Sequence, residues 1–460
     1  MQIRFGTDGW RAVIAREFTF DNLKTVTLAA AEYFLHHTDT SNGICVGYDT
    51  RFMSREFARF TADTLSSRGL NVLLSSTFTP TPAVSLYTRN KRLAGGIMIT
   101  ASHNPPTYNG FKVKDAYGGS AKPESIALIE RYIDSIDVDE QLQPQKHLVE
   151  EVDLKQFYID HLMSVIDIDL IRDSQLTIAH NAMFGAGQEI LTGIFDESVI
   201  SAYHCSRNPG FLDINPEPVP QNIGDFIDFF NEVQTDVGII NDGDADRIGM
   251  LDEHGSFVDS HKIFAILLKH LVEDRTMTGE VAKTFALTDL IDRICEKHGL
   301  RLHTLPVGFK YVSQLMTERN ILIGGEESGG IGITSYLPER DGLYIGLLVM
   351  EIMARKKTTL SGLVQELFAE YGCRYYERHD LALSESRKQA IVSRASQGDF
   401  TRIANHRVTG FNDLDGYKYH FEGGWLLIRP SGTEPVLRLY CEADSPDTVS
   451  KALSFAETIA

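Results

Sequence analysis

The sequence predicts an α/β protein of several domains, and two observations carry that reading. Short apolar, β-rich runs alternate with helical patterns along most of the chain. Three apolar runs also end abruptly in a dense polar or glycine-rich loop: Ile97–Ile99 into Thr100–Pro106, Val237–Ile240 into Asn241–Arg247, and Ile321–Ile323 into Gly324–Gly330. Ligands of open α/β sheets bind outside the carboxyl ends of strands. Three such loops therefore suggest three α/β units that pool their strand ends around one site. A chain of 460 residues has room for two to four domains of the usual size.

Taken in order, Ile44–Gly47 reads as a strand, Ser54–Arg68 as a helix and Asn71–Leu74 as a strand. Thr81–Thr88 is the next helix and Gly96–Ile99 the next strand, which completes a repeated strand–helix–strand pattern. The alternation resumes near Thr177–Ala179 and near Val281–Leu305, and Gly362–Tyr371 reads as a helix. The last part differs in texture. Strands Gly424–Ile428 and Val436–Tyr440 flank a turn and a helical run, Ser445–Thr458, follows, which suggests a small α+β domain. Polar stretches at Asp137–His147 and Leu251–Ser256, and a third after the helix Gly362–Tyr371, suggest linkers. The expected divisions are 1–146, 147–251, 252–370 and 371–460.

Composition narrows the function. Apolar residues at 43% and charged residues at 23% describe an ordinary soluble chain that can bury several cores. A formal net charge of −19 argues against nucleic acid or an anionic membrane as partner, so any phosphate site must be built locally from a few arginines and lysines. Cys45, Cys205, Cys295, Cys373 and Cys441 are scattered without a Cys-x-x-Cys pair, as expected of a reducing cytoplasm with neither disulfides nor zinc. The first residues lack a signal-peptide core, and no apolar run approaches the ~20 residues of a membrane helix.

The chemistry is concentrated in four loops. In Thr100-Ala101-Ser102-His103-Asn104-Pro105-Pro106 a small hydroxyl nucleophile ends a buried strand beside a histidine. A capped turn is the ordinary reading of those residues, and no Gly-x-Ser-x-Gly elbow is present to suggest acyl transfer. In Asp242-Gly243-Asp244-Ala245-Asp246-Arg247, carboxylates at i, i+2 and i+4 can converge on a hard cation such as Mg2+. An EF-hand loop ending at Glu253 has similar spacing, but Arg247 stands where that turn requires glycine and the flanks read as strands. Gly324-Gly325-Glu326-Glu327-Ser328-Gly329-Gly330 offers a close backbone with a carboxylate and a hydroxyl for sugar hydroxyls; otherwise it is a plain glycine-rich connection. Arg429-Pro430-Ser431-Gly432-Thr433-Glu434-Pro435 combines an arginine, two hydroxyls and backbone N–H groups that could cradle phosphate, or is a hairpin turn. Arg11, Lys112 and Lys310 are further candidate cations.

Together, Thr-Ala-Ser-His-Asn-Pro, Asp-Gly-Asp-Ala-Asp-Arg, Gly-Glu-Glu-Ser-Gly-Gly and Arg-Pro-Ser-Gly-Thr-Glu-Pro resemble, in order and spacing, the motifs of the α-D-phosphohexomutases, the superfamily of phosphoglucomutases and phosphomannomutases. The resemblance covers essentially the whole chain. It implies four domains around a central cleft, three of related α/β fold and a smaller α+β domain at the C-terminal end. It further implies a phosphorylated Ser102, with Mg2+ held by Asp242, Asp244, Asp246 and a phosphoserine oxygen. Glu326 and Ser328, with Lys310, would contact the sugar; Arg429, Ser431, Gly432 and Thr433 would hold the non-reacting phosphate. Arg11, His103, Lys112 and Arg247 would attend the reacting phosphoryl group. The expected substrate is a hexose phosphate with glucose 1,6-bisphosphate as activator, and the expected enzyme is a cytoplasmic monomer or homodimer. Two departures bear on detail. His180 begins a segment that in relatives often starts with Asp, which weakens any claim for a polar role there. Relatives acting on both mannose and glucose phosphates tend to have Met and a final His where this chain has Glu327 and Gly330, which leans towards glucose.

Overall fold

The computed structural model describes residues 3–137, 139, 141–430 and 436–459. Its strands form four sheets. The first has the order Trp10–Val13, Tyr108–Asp115, Gly95–Ile99, Ile44–Tyr48, Val72–Ser75, Val149–Val152. Its inner strands Ile44–Tyr48 and Gly95–Ile99 pair in parallel and are buried throughout, as strands covered by helices on both faces must be. The second sheet runs Phe257–Val258, Ile248–Leu251, Val237–Asn241, Ile178–Asn181, Ile200–Tyr203, and the third Leu302–Leu305, Glu280–Thr284, Ile321–Gly325, Ile331–Ile333. The fourth is antiparallel, with six strands between Tyr375 and Ala443, and the helix Pro446–Thr458 covers it. The α/β architecture and the α+β C-terminal domain are thus as the sequence predicts.

The first three sheets share one local design. The strand that enters a polar loop is paired antiparallel with the strand that leaves it: Gly95–Ile99 with Tyr108–Asp115, Val237–Asn241 with Ile248–Leu251, and Ile321–Gly325 with Ile331–Ile333. Each loop is therefore the tip of a hairpin at the carboxyl end of a central strand. Such a tip has its backbone fixed on both sides while its side chains stay free for chemistry.

The sheets run past two of the divisions read at residues 146 and 251. Val149–Val152 closes the first sheet beside Val72–Ser75, and Phe257–Val258 closes the second beside Ile248–Leu251. Both are edge strands. In Val-Glu-Glu-Val the two glutamates are exposed, so the segment shows no apolar run that would mark it as part of the first sheet.

The second and third units share one apolar core, in which Ile239, Ile248 and Met250 meet Leu343, Leu347 and Met350. The first domain has its own core and is joined to the third by a buried ion pair, Lys114 Nζ to Glu339 Oε2 at 2.6 Å. The C-terminal domain also has its own core. It meets the third through a small cluster of Phe285, Ala286, Trp425, Leu427 and Tyr440.

Candidate active site

The three hairpin tips meet. Gly243 is pressed against the serine loop: a Cβ there would lie 2.3 Å from the carbonyl oxygen of Ser102, so glycine is required by close approach. Arg247 and Gly330 form a β-bridge between the second and third tips, and Ile248 N–H donates to Gly329 O at 3.1 Å.

Ser102 is fully buried, with φ at 53°, in the left-handed region. That strain in a non-glycine residue is held by its surroundings. Arg51, 1% exposed, donates from Nη2 to the carbonyls of Ser102 and Asn104, both at 2.6 Å, and from Nη1 to those of Pro105 and Tyr108 at 2.8 and 3.0 Å. One guanidinium thus satisfies most of the loop's inward carbonyls. The Ser102 hydroxyl donates to Asp242 Oδ2 at 2.6 Å and lies 3.4 Å from His103 Nδ1. Burial, with Arg247, Arg11, Lys112 and Arg378 nearby, pushes the His103 imidazole well below its usual pKa, so it is neutral.

Asp242, Asp244 and Asp246 are buried, and each offers an oxygen within 4.8 Å of the others. Burial and the charges of Asp244 and Asp246 push Asp242 well above the usual carboxylate range. Burial works against Asp244 too, but the charge and hydrogen bond of Lys112 and the bond from Thr81 together hold that carboxyl low. The Oδ1 atoms of Asp244 and Asp246 are buried without a hydrogen-bond partner. Converging, unsatisfied carboxylate oxygens fit a hard cation.

Around this triad stands a set of cations gathered on Asp8. Its Oδ2 lies 2.9 Å from Arg11, 2.7 Å from Lys112 and 2.9 Å from Arg340. Lys112 Nζ reaches on to Asp244 and Asp246 at 2.7 and 3.0 Å, and Arg340 to Asp246 at 2.8 Å. Arg11 also donates to Asn104 Oδ1 at 2.8 Å. Arg247 Nε stands 4.0 Å from both Asp242 and Asp246.

In the third tip Glu326 is 5% exposed and lies 3.4 Å from Arg340 Nη1. Burial, only partly offset by Arg340, pushes its carboxyl up to about 7. Glu326 and Ser328 line a cleft of about 500 Å³ with Asp8, Arg11, His103 and Arg247. That volume suits a small polar ligand.

The structure does not bring every expected residue to this cleft. The Lys310 ammonium stands over the Tyr311 ring at 5.3 Å and is not part of the cleft wall. Arg429 is paired with Asp415 at 2.9 Å at the end of strand Gly424–Pro430. Ser431, Gly432 and Thr433 lie outside the described residues. Glu253, the twelfth position of the rejected EF-hand spacing, accepts from Ser361 Oγ and takes no part in the acidic cluster. His180, for which the sequence supports no role, has a polar contact: its buried Nε2 lies 3.1 Å from Asn241 Oδ1, and Asn241 Nδ2 donates to Arg247 O at 2.9 Å, which closes the acidic loop. Asp8, Arg51, Glu217, Arg340 and Arg378 are site residues that sequence reasoning missed. Asp8 alone carried a signal, in the run Gly6-Thr7-Asp8-Gly9 before Arg11.

Comparison with known proteins agrees in order and extent. Four profiles described as phosphoglucomutase/phosphomannomutase match: alpha/beta/alpha domain I over residues 2–140, domain II over 156–255, domain III over 259–371 and the C-terminal domain over 382–454. A phosphoglucomutase/phosphomannomutase of Thermococcus kodakarensis is 29% identical over 451 residues, covering 98% of this chain and 96% of its own. A phosphoglucosamine mutase of Jannaschia sp. is 30% identical, covering 96% and 94%. The crystal structure of a Thermus thermophilus protein, named as a candidate phosphomannomutase, superimposes with a TM-score of 0.88 at 34% identity over 100% of this chain and 99% of its own. With its domains matched in sequence and its three strand-end loops joined at one cleft, the chain belongs to the phosphoglucomutase/phosphomannomutase family of phosphohexomutases.

Proposed function

We propose that the chain is a phosphoglucomutase that interconverts α-D-glucose 1-phosphate and glucose 6-phosphate through phosphorylated Ser102 and glucose 1,6-bisphosphate, which also serves as activator. The observation that carries this is the bond from Ser102 Oγ to Asp242 Oδ2, 2.6 Å, at the edge of the acidic triad. A serine there is the right group to carry a phosphoryl.

In this reading, the 6-hydroxyl of glucose 1-phosphate attacks the phosphorus on Ser102. The new O6–P bond forms as the Oγ–P bond breaks. The O6 proton passes to His103, which burial keeps neutral, and from Nδ1 to Ser102 Oγ, 3.4 Å away. The bisphosphate then turns round, and the reverse sequence returns the other phosphate to Ser102. Arg11, Lys112 and Arg247 neutralise charge on the phosphoryl oxygens. Glu326 and Ser328 accept and donate to sugar hydroxyls, Lys310 assists from outside the cleft wall, and Arg429 with Ser431, Gly432 and Thr433 holds the resting phosphate. Asp242, Asp244 and Asp246 would hold Mg2+ with a phosphoserine oxygen, and the open Oδ1 atoms support that assignment. When bound, the cation supplies Lewis-acid neutralisation of phosphoryl charge.

The preference for glucose is supported by Gly330, over which Arg340 packs, and by Glu327 beside Ser328. The test is ³¹P NMR of the protein with Mg2+, a trace of glucose 1,6-bisphosphate, and glucose, mannose or glucosamine 1-phosphate in separate tubes. Fast 6-phosphate formation from glucose alone is expected. Equal rates for another sugar would keep the chemistry and discard the preference. No turnover of any of the three would discard the glucose reading in favour of another sugar phosphate or of a sugar-phosphate-binding role without catalysis.

A further inference from the structure

Glu217 reaches two arginines that belong to different domains. Its Oε1 lies 3.6 Å from Arg247 Nη1, in the acidic loop, and 3.5 Å from Arg378 Nη1, on the first strand of the C-terminal sheet, Tyr375–Ala382. The carboxylate is largely buried, and all three residues line the cleft. Among the described residues, neither guanidinium has an ion pair beyond Glu217 that leaves its own domain. Arg378 forks onto Asp380 of its own strand at 3.0 and 3.1 Å, and Arg247 stands 4.0 Å from Asp242 and Asp246 of its own loop. The C-terminal domain's other polar ties run to the third domain. Lys418 donates to Phe285 O at 3.0 Å, Asp289 N–H to Glu442 Oε1 at 2.9 Å and Val307 N–H to Asp415 Oδ2 at 2.8 Å. Glu217, itself in the second domain with the acidic loop, thus spans the cleft to Arg378 of the C-terminal domain.

One carboxylate between two guanidiniums does two things. It attracts both, and it screens two like charges that would otherwise repel across the cleft. A substrate phosphate entering the cleft competes for the same two arginines. We infer that Glu217 is a positioning residue that straps the C-terminal domain across the cleft and holds Arg247 towards the acidic loop through the same carboxylate. This rests on the mutase reading above. In that cycle the bisphosphate must turn round between two transfers, and a strap sets how often it escapes while doing so.

The test uses the full-length protein and the isosteric Glu217→Gln, with Glu217→Asp as the charge-conserving control. The first readout needs no turnover: backbone hydrogen exchange in the substrate-free protein. Exchange in Tyr375–Ala382 and in residues 215–222 becomes faster in Glu217→Gln and is largely restored in Glu217→Asp. The second readout is hexose 1,6-bisphosphate released per turnover, followed by ³¹P NMR. It rises about tenfold in Glu217→Gln, as expected when a cross-cleft charge pair that slows escape is removed. Unchanged exchange, or unchanged bisphosphate release from a variant that still turns over, overturns the proposal. Failure of the wild-type protein to turn over any hexose phosphate overturns the mutase reading and with it the coupling to turnover, while the exchange data still decide the strap.

Discussion

Ser102 Oγ donates a 2.6 Å hydrogen bond to Oδ2 of Asp242, a residue 140 positions further along the chain. The bond joins the strand-end loops of two domains and sets a hydroxyl beside three buried carboxylates. Replacing Ser102 with Ala removes the phosphoryl carrier but little packing, and Asp242 keeps its bond from Arg247 N–H at 3.2 Å. Turnover should fall about 10⁴-fold or more, with unfolding free energy changed by only about 1 kcal/mol. Near-normal rates in the ³¹P assay would refute the assignment of Ser102.

Asp244 divides its labour. Its Oδ2 accepts from Lys112 at 2.7 Å and from Thr81 at 2.5 Å, while its Oδ1 is open. Asp244→Asn keeps the shape and removes the charge. The Mg2+ concentration for half-maximal activity should rise about tenfold or more, as loss of a ligand carboxylate implies. An unchanged metal activation curve would show that the cation sits elsewhere.

Arg340 is 2% exposed and pairs with Asp8, Asp246, Glu326 and Glu339 at 2.8 to 3.4 Å. Arg340→Met leaves those buried carboxylates short of a cation. The expected loss is about 3–5 kcal/mol of stability, read from the urea midpoint. Arg340→Lys should recover only part of it, because an ammonium cannot fork between partners on two sides. A loss under about 1 kcal/mol would mean that Arg11 and Lys112 carry the cluster without it.

What was legible in the sequence and what was not divide along a physical line. Ser102, the three aspartates and Glu326 each lie in a short string whose residues act together, so the string itself carries the signal. Arg340, Glu217 and Arg378 act across domains, and Arg51 holds carbonyls some fifty residues away in its own domain; a lone charged residue carries no local pattern. The sheets were readable because buried parallel strands such as Ile44–Tyr48 are apolar throughout. The edge strand Val149–Val152 was not, because two exposed glutamates leave it without an apolar run. Lys310 is a similar case: the sequence Gly308-Phe309-Lys310 carries no sign that its ammonium stands over the neighbouring Tyr311 ring.

Glu326 gives a pH dependence of definite sign. Burial raises its carboxyl from the usual 4.5 to about 7. Below pH 4.5 both folded and unfolded chains hold the proton, and the contribution is intact. Between those values the unfolded chain releases its proton first, so stability falls as pH rises and the contribution is lost above about 7. Wild type should lose on the order of 3 kcal/mol relative to Glu326→Gln between about pH 4.5 and 8, measured by urea unfolding at each pH. A gap that moves the other way would mean that Arg340 holds Glu326 ionised in the folded protein.

Gly330 tests the sugar preference from the other side. A Cβ at this position would lie 2.3 Å from Arg340 Cδ and 3.0 Å from its Cγ. The arginine crosses directly over the glycine, on its way to Asp8 and Asp246. The family resemblance associates a histidine here with a broader sugar range, so Gly330→His is the natural graft. In this chain the graft meets the stem of a guanidinium held by Asp8 and by the buried Asp246, and either the histidine or the arginine has to give way. The expected result is a loss of turnover on glucose 1-phosphate of about tenfold or more without a compensating gain on mannose 1-phosphate, because the cation cluster is displaced before any new sugar contact forms. Pairing Gly330→His with Arg340→Ala removes the clash, so stability in the double variant should fall by less than the sum of the two single losses. Strictly additive losses, or a single Gly330→His variant that turns over mannose 1-phosphate as fast as glucose 1-phosphate, would show that Arg340 moves aside freely and that Gly330 does not set the preference.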